Sequence, residues 1–351
     1  MALEFASGSG GGGGGSGTGG YASIIAASDT PSTLQAQATT VCTGTDDQTP
    51  INSVISDVAA LSVGARVLML PGTYSVSGAI DFSPLAVASA NSDGKWIDWD
   101  AAATQIIAGA NLTTMLNLAA PPGSQIFSKL NARFGRVDGN KATYTVTQGV
   151  YMQRFVDNHV WISELVDCSG TGFVIAQAGV TDYGCFNNFL SILKCNTHDV
   201  TGLFVSSDPN GTSIYGCQGN TVRMGQVFGN LNGVRVGSGA NQNAKLNRFE
   251  IGVAEHNTAS GILDTSGNNL WLINNTNSNG IFGIGSSVSG VTQRSTFIVA
   301  DMDDTLDGGI TAQHTVIVGG NNVYSGKYPT ADPHITGQLW ESSGTLHVSA
   351  G

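Results

Sequence analysis

Apolar and polar residues alternate along the middle of the chain in short bursts that restart at a regular distance. In the run GNTVRMGQVFGNLNGVRV, Gly219 to Val236, a few alternating residues break at Gly-Asn and then turn apolar again. Period-two alternation marks a strand with one buried face. Five segments superimpose on this pattern. They are NHVWISELVDCSGTGFVI from Asn158, NFLSILKCNTHDVTGLFV from Asn188, NTVRMGQVFGNLNGVRV from Asn220, NRFEIGVAEHNTASGIL from Asn247 and NLWLINNTNSNGIFGI from Asn269. Each opens with Asn, runs through a short strand, turns on polar residues and restarts at a glycine.

The restarting glycines are read as Gly172, Gly202, Gly233, Gly261 and Gly280, giving Asn-to-Gly spacings of 14, 14, 13, 14 and 11. From each glycine to the next Asn the spacing is 16, 18, 14 and 8. One arc is nearly constant and the other varies. Looser copies occur near Asn131 and Thr296. A strand pair of this kind cannot bury its apolar face alone, whereas stacked coils make one continuous core. The pattern predicts an all-β fold, a parallel β-helix whose recurring Asn side chains form a ladder of stacked amides. An antiparallel sandwich, with turn signals every ~8–12 residues, leaves a repeat of about 30 residues unexplained.

Helical periodicity appears once. Ile51, Val54, Ile55, Val58 and Leu61 fall on one helical face, with Thr49 at the expected N-cap, Pro50 at the first helical position and Gly64 closing the helix. The strand RVLML, the turn PGTY and a second strand SVSGAI follow. A short amphipathic helix ahead of a strand suits a solenoid end, covering the open core with its apolar side. The boundaries read as a Gly-rich tail at 1–20, a lead-in at 21–45, a capping helix at 46–64, the β-helix at 65–328 and a C-terminal hairpin at 329–351. The hairpin pairs QLWE with TLHVS across Ser342, Ser343 and Gly344.

Composition agrees with strands and turns: 48 of 351 residues are Gly and only 11% are charged. The net charge of −11 comes with no basic cluster, so neither nucleic acid nor an anionic membrane surface is an expected partner. No apolar run reaches the ~18–20 residues of a membrane span, and membrane insertion is not expected. The start, MALEFASGSG, has neither the basic nor the apolar region of a secretory signal, so synthesis in a cytoplasm is expected. Residues 8–20 hold 10 Gly and contain GxGxxG trivially; with no strand before them they read as a linker, not a dinucleotide site.

The five cysteines are Cys42, Cys168, Cys185, Cys195 and Cys217, without a CxxC pair. Cys185 and Cys217 each stand three residues before a ladder Asn, which places them in adjacent coils about 4.8 Å apart. That distance permits a disulfide; two stacked reduced thiols is the expected state for a chain without a secretion signal.

The stretch VCTGTDDQTPINSVI…VLMLPGTYSVSGAI, from Val41 to Ile80, resembles the opening motif of the pectate-lyase-like superfamily, which phage tailspikes and tail-associated proteins often use. The ending HITGQLWESSGTLHVSAG is similar to the short ending of many phage tail proteins. The resemblance implies a right-handed parallel β-helix, a homotrimer, a place in the virion (the phage tail) and action outside the cell. It also implies contact with other tail proteins through residues 1–20 and with a host surface polysaccharide. The function expected from it is a structural tail protein, a minor tail protein or tail fibre, contacting the host envelope. The alternative is a polysaccharide depolymerase of the tailspike type.

Glycoside hydrolysis needs two carboxylates about 5 Å or about 6.5–9.5 Å apart. Superimposing GRVDGN, SELVDC and GVAEHN puts Asp138, Asp167 and Glu255 near one outward column, the candidate catalytic residues. Glu164 and Lys194 are equivalent under the shift from Asn158 to Asn188 and read as a cross-strand ion pair, or as ligand-binding residues beside Trp161. Trp161 and Trp271 both lie in repeat strands, where each is either a sugar platform or core. Asp301 to Gly309, DMDDTLDGG, reads as a solvated turn rather than a cation loop. The six His form no HExxH, and neither a metal nor a cofactor is expected.

Overall fold

The computed structural model describes residues 21–88, 95–121, 125–177, 184–206, 216–237, 244–285, 295–302, 315–318, 339–342 and 345–348. They form an all-β, right-handed parallel β-helix of about six turns. A 13-stranded sheet and an 8-stranded sheet wrap one core, and a 3-stranded sheet joins them at the N-terminal end. Successive coils contribute the long strands Leu130–Asp138, His159–Val166, Phe189–Asn196, Thr221–Phe228, Arg248–Glu255, Leu270–Asn277 and Thr296–Met302, each parallel to the next. The short strands Val146–Gln153, Thr171–Ala176, Thr201–Val205, Asn232–Val236, Ser260–Asp264 and Phe282–Gly285 stack opposite them.

Register turns sequence alternation into columns. Leu190, Val222, Phe249, Trp271 and Phe297 lie one above another, all buried. The Trp271 ring stacks on Phe249 at 4.0 Å and on Phe297 at 5.6 Å, with interplanar angles of 14° and 7°. Trp271 is therefore core and not a sugar platform. Each such ring contributes about 1.5–3 kcal/mol by leaving water. In the long strands the alternation inverts midway: Ile192 and Cys195 are buried while Leu193 and Lys194 between them are exposed. Two consecutive outward residues turn each long strand through a corner.

The expected amide ladder runs Asn158, Asn188, Asn220, Asn247, Asn269 at steps of 30, 32, 27 and 22 residues. Each backbone N–H donates to the next coil's Asn Oδ1, and each Nδ2 donates to a carbonyl of a preceding coil, as Asn220 does to Cys185 at 2.9 Å. At the top, Ser295 Oγ takes the place of Asn and accepts the Asn269 N–H at 3.0 Å. A second ladder, absent from the sequence reading, lies at the other end of the long strands. It runs Cys168, His198, Asn230, Asn257, Asn279. A residue at positive φ precedes each Asn, Cys and His rung: Asp157, Asn187, Gly219, Leu246 and Asn268 in the first ladder, and Asp167, Thr197, Gly229, His256 and Ser278 in the second. The left-handed backbone turns the chain sharply enough for the following side chain to point inward, at a cost of roughly 1–2 kcal/mol for a non-Gly residue.

Two details differ from the expected repeat. Ser260 and Ile262 pair with Phe282 and Ile284, so Gly261 faces Gly283 and not Gly280. The last Asn-to-Gly arc is therefore 14 residues like its neighbours, and Gly280 belongs to the turn. Gly149, Gly172, Gly202, Gly233, Gly261 and Gly283 form one column in which a Cβ on any of the first five would stand 2.4–2.7 Å from the carbonyl oxygen of the next. The capping helix spans Gln48–Ala60, not 46–64. Asp47 precedes it, Pro50 is its third residue, and Leu61 follows it, well before Gly64. The reason lies in tertiary contacts: the buried Asp47 carboxylate accepts the N–H groups of Gly44 and Ser75 at 2.8 and 2.9 Å, which ties the helix start to the first coil. Ile51, Val54, Ile55 and Val58 are buried as the periodicity requires, while Leu61 is 38% exposed.

At the C-terminus, Leu339–Ser342 and Thr345–Val348 pair antiparallel as the expected hairpin. The Gly-rich tail at 1–20 lies outside the described residues, as does the acidic run beyond Met302. Among the described residues no helix is long and apolar enough to cross a membrane.

Candidate functional site

The corner between the long and short sheets brings three carboxylates around one cleft. A cleft of about 440 Å³ there is lined by Asp138, Asn140, Lys141, Ala142, Asp167 and Asp199. Asp138 ends its strand and is only 7% exposed. Its Oδ2 accepts from Arg136 Nε and Nη2 at 3.1 and 2.8 Å, and its Oδ1 from the Asn140 N–H at 2.8 Å. Asp167, at φ 56°, accepts the Thr197 hydroxyl at 2.8 Å. Lys141 donates to Asp199 Oδ1 at 2.7 Å and to the Thr197 carbonyl. Every carboxylate of the cleft thus already holds a protein donor.

Asp138 and Asp167 share the cleft, but the third candidate does not. Register places Asp138 in line with Val166, Asn196, Phe228 and Glu255. Glu255 is therefore in the Asp138 column but four coils away, about 19 Å at ~4.8 Å per coil, beyond the reach of any two-carboxylate mechanism. It accepts from Gln226 Nε2 at 3.0 Å. Asp167 stands one place past that column, in the left-handed turn that the superposition of GRVDGN on SELVDC does not reveal.

Arg136 carries the network along the surface. It donates to Glu164 at 3.1 Å, and Lys194 donates to the other Glu164 oxygen at 2.9 Å, with Glu164 and Lys194 directly paired in register. The Lys194 hydrogen bond, with Arg136 adding to it, holds the Glu164 carboxyl below its ordinary range. Half-exposed pairs of this kind contribute about 0–1 kcal/mol each. Trp161 lies outward on the long sheet between Arg133 and Ser191 and is partly exposed. Sequence reasoning passed over Arg136, Lys141 and Asp199; the signal for Arg136 was its place directly opposite Glu164 once the register is known.

A second concavity, about 640 Å³, runs along the outer face of the long sheet. Gly225 and Gly252 form its floor, and Leu193, Leu272 and Ile298 its apolar walls. At Gly225 a Cβ would lie 2.5 Å from the Leu193 carbonyl oxygen, so close strand packing and the groove have the same cause. Glu250 in its wall bridges Arg223 and Arg248 at 2.6 and 2.7 Å.

All five cysteines are free and buried. Cys185 Sγ lies 3.6 Å from the Met152 carbonyl and Cys217 Sγ 3.3 Å from that of Ser206. The fold and cleft define a parallel β-helix with a polar, largely neutralised corner. No protein-family profile matches the chain, and no curated protein or solved structure matches it either.

Proposed function

We propose that the chain is a structural component of a bacteriophage tail, a minor tail protein or tail fibre, that contacts the host envelope with the outer face of its β-helix. The virion context comes from the likeness of the Val41–Ile80 stretch and of the C-terminal hairpin to phage tail proteins. The observation that carries a non-enzymatic reading is the state of the candidate carboxylates. Asp138 is held by Arg136 and Asn140, Asp167 by Thr197, Asp199 by Lys141, and Glu255 lies four coils from Asp138. A hydrolase needs one carboxyl ready to give a proton and one ready to attack or to activate water. Assembly as a homotrimer, and tethering to other tail proteins through residues 1–20, belong to the same proposal.

A second reading, a depolymerase, draws on one feature: Asp138, Asp167, Asp199 and Lys141 around a single cleft. The two are separated by mixing the full chain with surface polysaccharide and whole cells of candidate hosts and following polymer size, reducing ends and cell binding. Cell binding with constant polymer size is the expected result. New reducing ends that disappear in Asp138→Asn or Asp167→Asn would overturn it in favour of the enzyme.

A further inference from the structure

We infer that the outer face of the N-terminal coils carries a shallow site for a single sugar ring, with the indole of Trp96 as its platform. The inference rests on the envelope-contact reading above and gives that contact a place and a ligand class. Trp96 is 49% exposed, the most exposed ring-bearing apolar side chain among the described residues. Its backbone is fixed: its carbonyl accepts the Ala65 N–H at 2.9 Å, and a Cβ on the neighbouring Gly64 would meet that oxygen at 2.5 Å. A large ring held from its base and left half in water leaves apolar surface that a ligand would cover.

Beside it lies a cavity of about 230 Å³ lined by Trp96, Lys129, Leu130, Asn131, Asp157 and His159. Lys129 and Asp157 occupy left-handed turn positions, φ 61° and 56°, each immediately before a rung of the first ladder or its N-terminal extension at Leu130. Ladder and turn therefore fix the backbone under both side chains. His159 faces the same cavity, its ring centroid 5.7 Å from that of Phe189, and Asn131 is oriented by a 2.8 Å hydrogen bond to Asp98.

Ligand class follows from these chemistries. One ammonium, one carboxylate, one amide and one imidazole offer both donors and acceptors without an excess of either charge. A phosphate or sulfate would meet Asp157, and an acyl chain would meet four polar groups. A neutral pyranose has one face of C–H groups for the indole and a rim of hydroxyls for the rest. The cavity is also smaller than the ~300–1,000 Å³ typical of drug-sized ligands, which suits one ring of a longer glycan.

The test uses methyl glycosides of common hexoses and N-acetylhexosamines at millimolar concentration, with the full chain and saturation-transfer NMR. At least one glycoside should receive saturation concentrated on one ring face. Its affinity should fall about tenfold in Trp96→Ala and about threefold in Asp157→Asn, in proportion to loss of an aromatic anchor and of one hydrogen-bonding group. Val200→Ala and Leu246→Ala, at exposed positions that line neither this cavity nor the acidic cleft, should leave it unchanged, and circular dichroism confirms the fold of each variant. No saturation from any glycoside, or unchanged saturation in both Trp96→Ala and Asp157→Asn, overturns the assignment. Cell binding that survives Trp96→Ala overturns it too while leaving the envelope-contact reading in place; loss of all cell binding by the unmodified chain sinks that reading instead.

Discussion

His198 Nδ1 accepts the backbone N–H of Cys168 at 3.1 Å, while His198 Nε2 donates to the Leu165 carbonyl at 3.1 Å. In the next coil Asn230 makes the same two bonds with its amide: Oδ1 accepts the His198 N–H at 2.9 Å and Nδ2 donates to the Cys195 carbonyl at 3.2 Å. Leu165 and Cys195 are register partners. A neutral imidazole protonated on Nε2 thus reproduces the donor–acceptor pair of an asparagine amide.

The substitution of imidazole for amide makes stability depend on pH. Burial, with no compensating partner for a second proton, depresses the His198 pKa from 6.5 to about 3. In the unfolded chain the ring protonates near its ordinary value of ~6.5, so between these values the unfolded state binds the extra proton. The His198 contribution is fully present above about pH 6.5 and is lost progressively toward pH 3, by up to a few kcal/mol. Urea unfolding at pH 7.5 and pH 5 should show this loss. His198→Asn should retain the fold and remove most of the difference, because the amide supplies the same bonds without titrating.

Two glycines in one coil should respond in opposite ways. A Cβ at Gly233 would meet the Gly261 carbonyl at 2.4 Å, so Gly233→Ala should cost about 2–4 kcal/mol through forced separation of two coils. Gly229, at φ 68°, has its nearest neighbour at 3.5 Å, and other coils place Asp167 and Thr197 at the same turn position. Gly229→Asn should therefore stay within about 0.5 kcal/mol of the parent, since Asn tolerates the left-handed region. Thermal unfolding of the two variants is the check.

Among the acids of the described residues, Asp264 should be the most sensitive to substitution. It is fully buried. Its Oδ1 accepts from the Ser266 N–H and hydroxyl and from the Gly267 N–H, at 3.0, 3.0 and 3.3 Å. Its Oδ2 accepts from Asn269, Trp271 and Ser295, at 3.3, 2.9 and 2.6 Å. Asp264→Ala strands these donors and should cost about 3–5 kcal/mol. Hydrogen exchange should show the loss first over residues 264–271, where the donors cluster, and an unchanged exchange pattern there would count against this role.

The cysteines should be inert in the folded chain. Burial raises the thiol pKa of Cys168, Cys185 and Cys195, and pushes that of Cys42 up to about 12. Since the thiolate is the reactive form, an aromatic disulfide reagent should label no thiol in native protein and all five in denaturant. Rapid native labelling would contradict the buried arrangement.

Much of the architecture was legible because the repeat is periodic in sequence as well as in space. The Asn158–Asn269 ladder, the Glu164–Lys194 pairing and the buried face of the capping helix each follow from spacing alone, since a residue's place in a coil sets its neighbours in the coils above and below. The second ladder was hidden because its rungs are chemically unlike: Cys168, His198 and three Asn share a backbone geometry, not a residue type. The candidate carboxylates were legible as acids near a corner, and Asp138 and Asp167 do share a cleft. Their grouping with Glu255 failed because coil lengths of 22 to 32 residues leave the vertical distance between residues unreadable until strands are paired.

By itself the sequence determined the period, the first ladder of Asn residues and the buried face of the capping helix, because alternation, Asn spacing and helical periodicity are local. Only the tertiary structure decided which residues meet across coils. It put Asp167 past the Asp138 column, Trp271 inside the core and Trp96 half in water, and it gave Asp264 six donors from a turn and three other strand or ladder positions. Those outcomes depend on register and on where each variable arc returns the chain, and both are set by packing between segments that are distant in sequence.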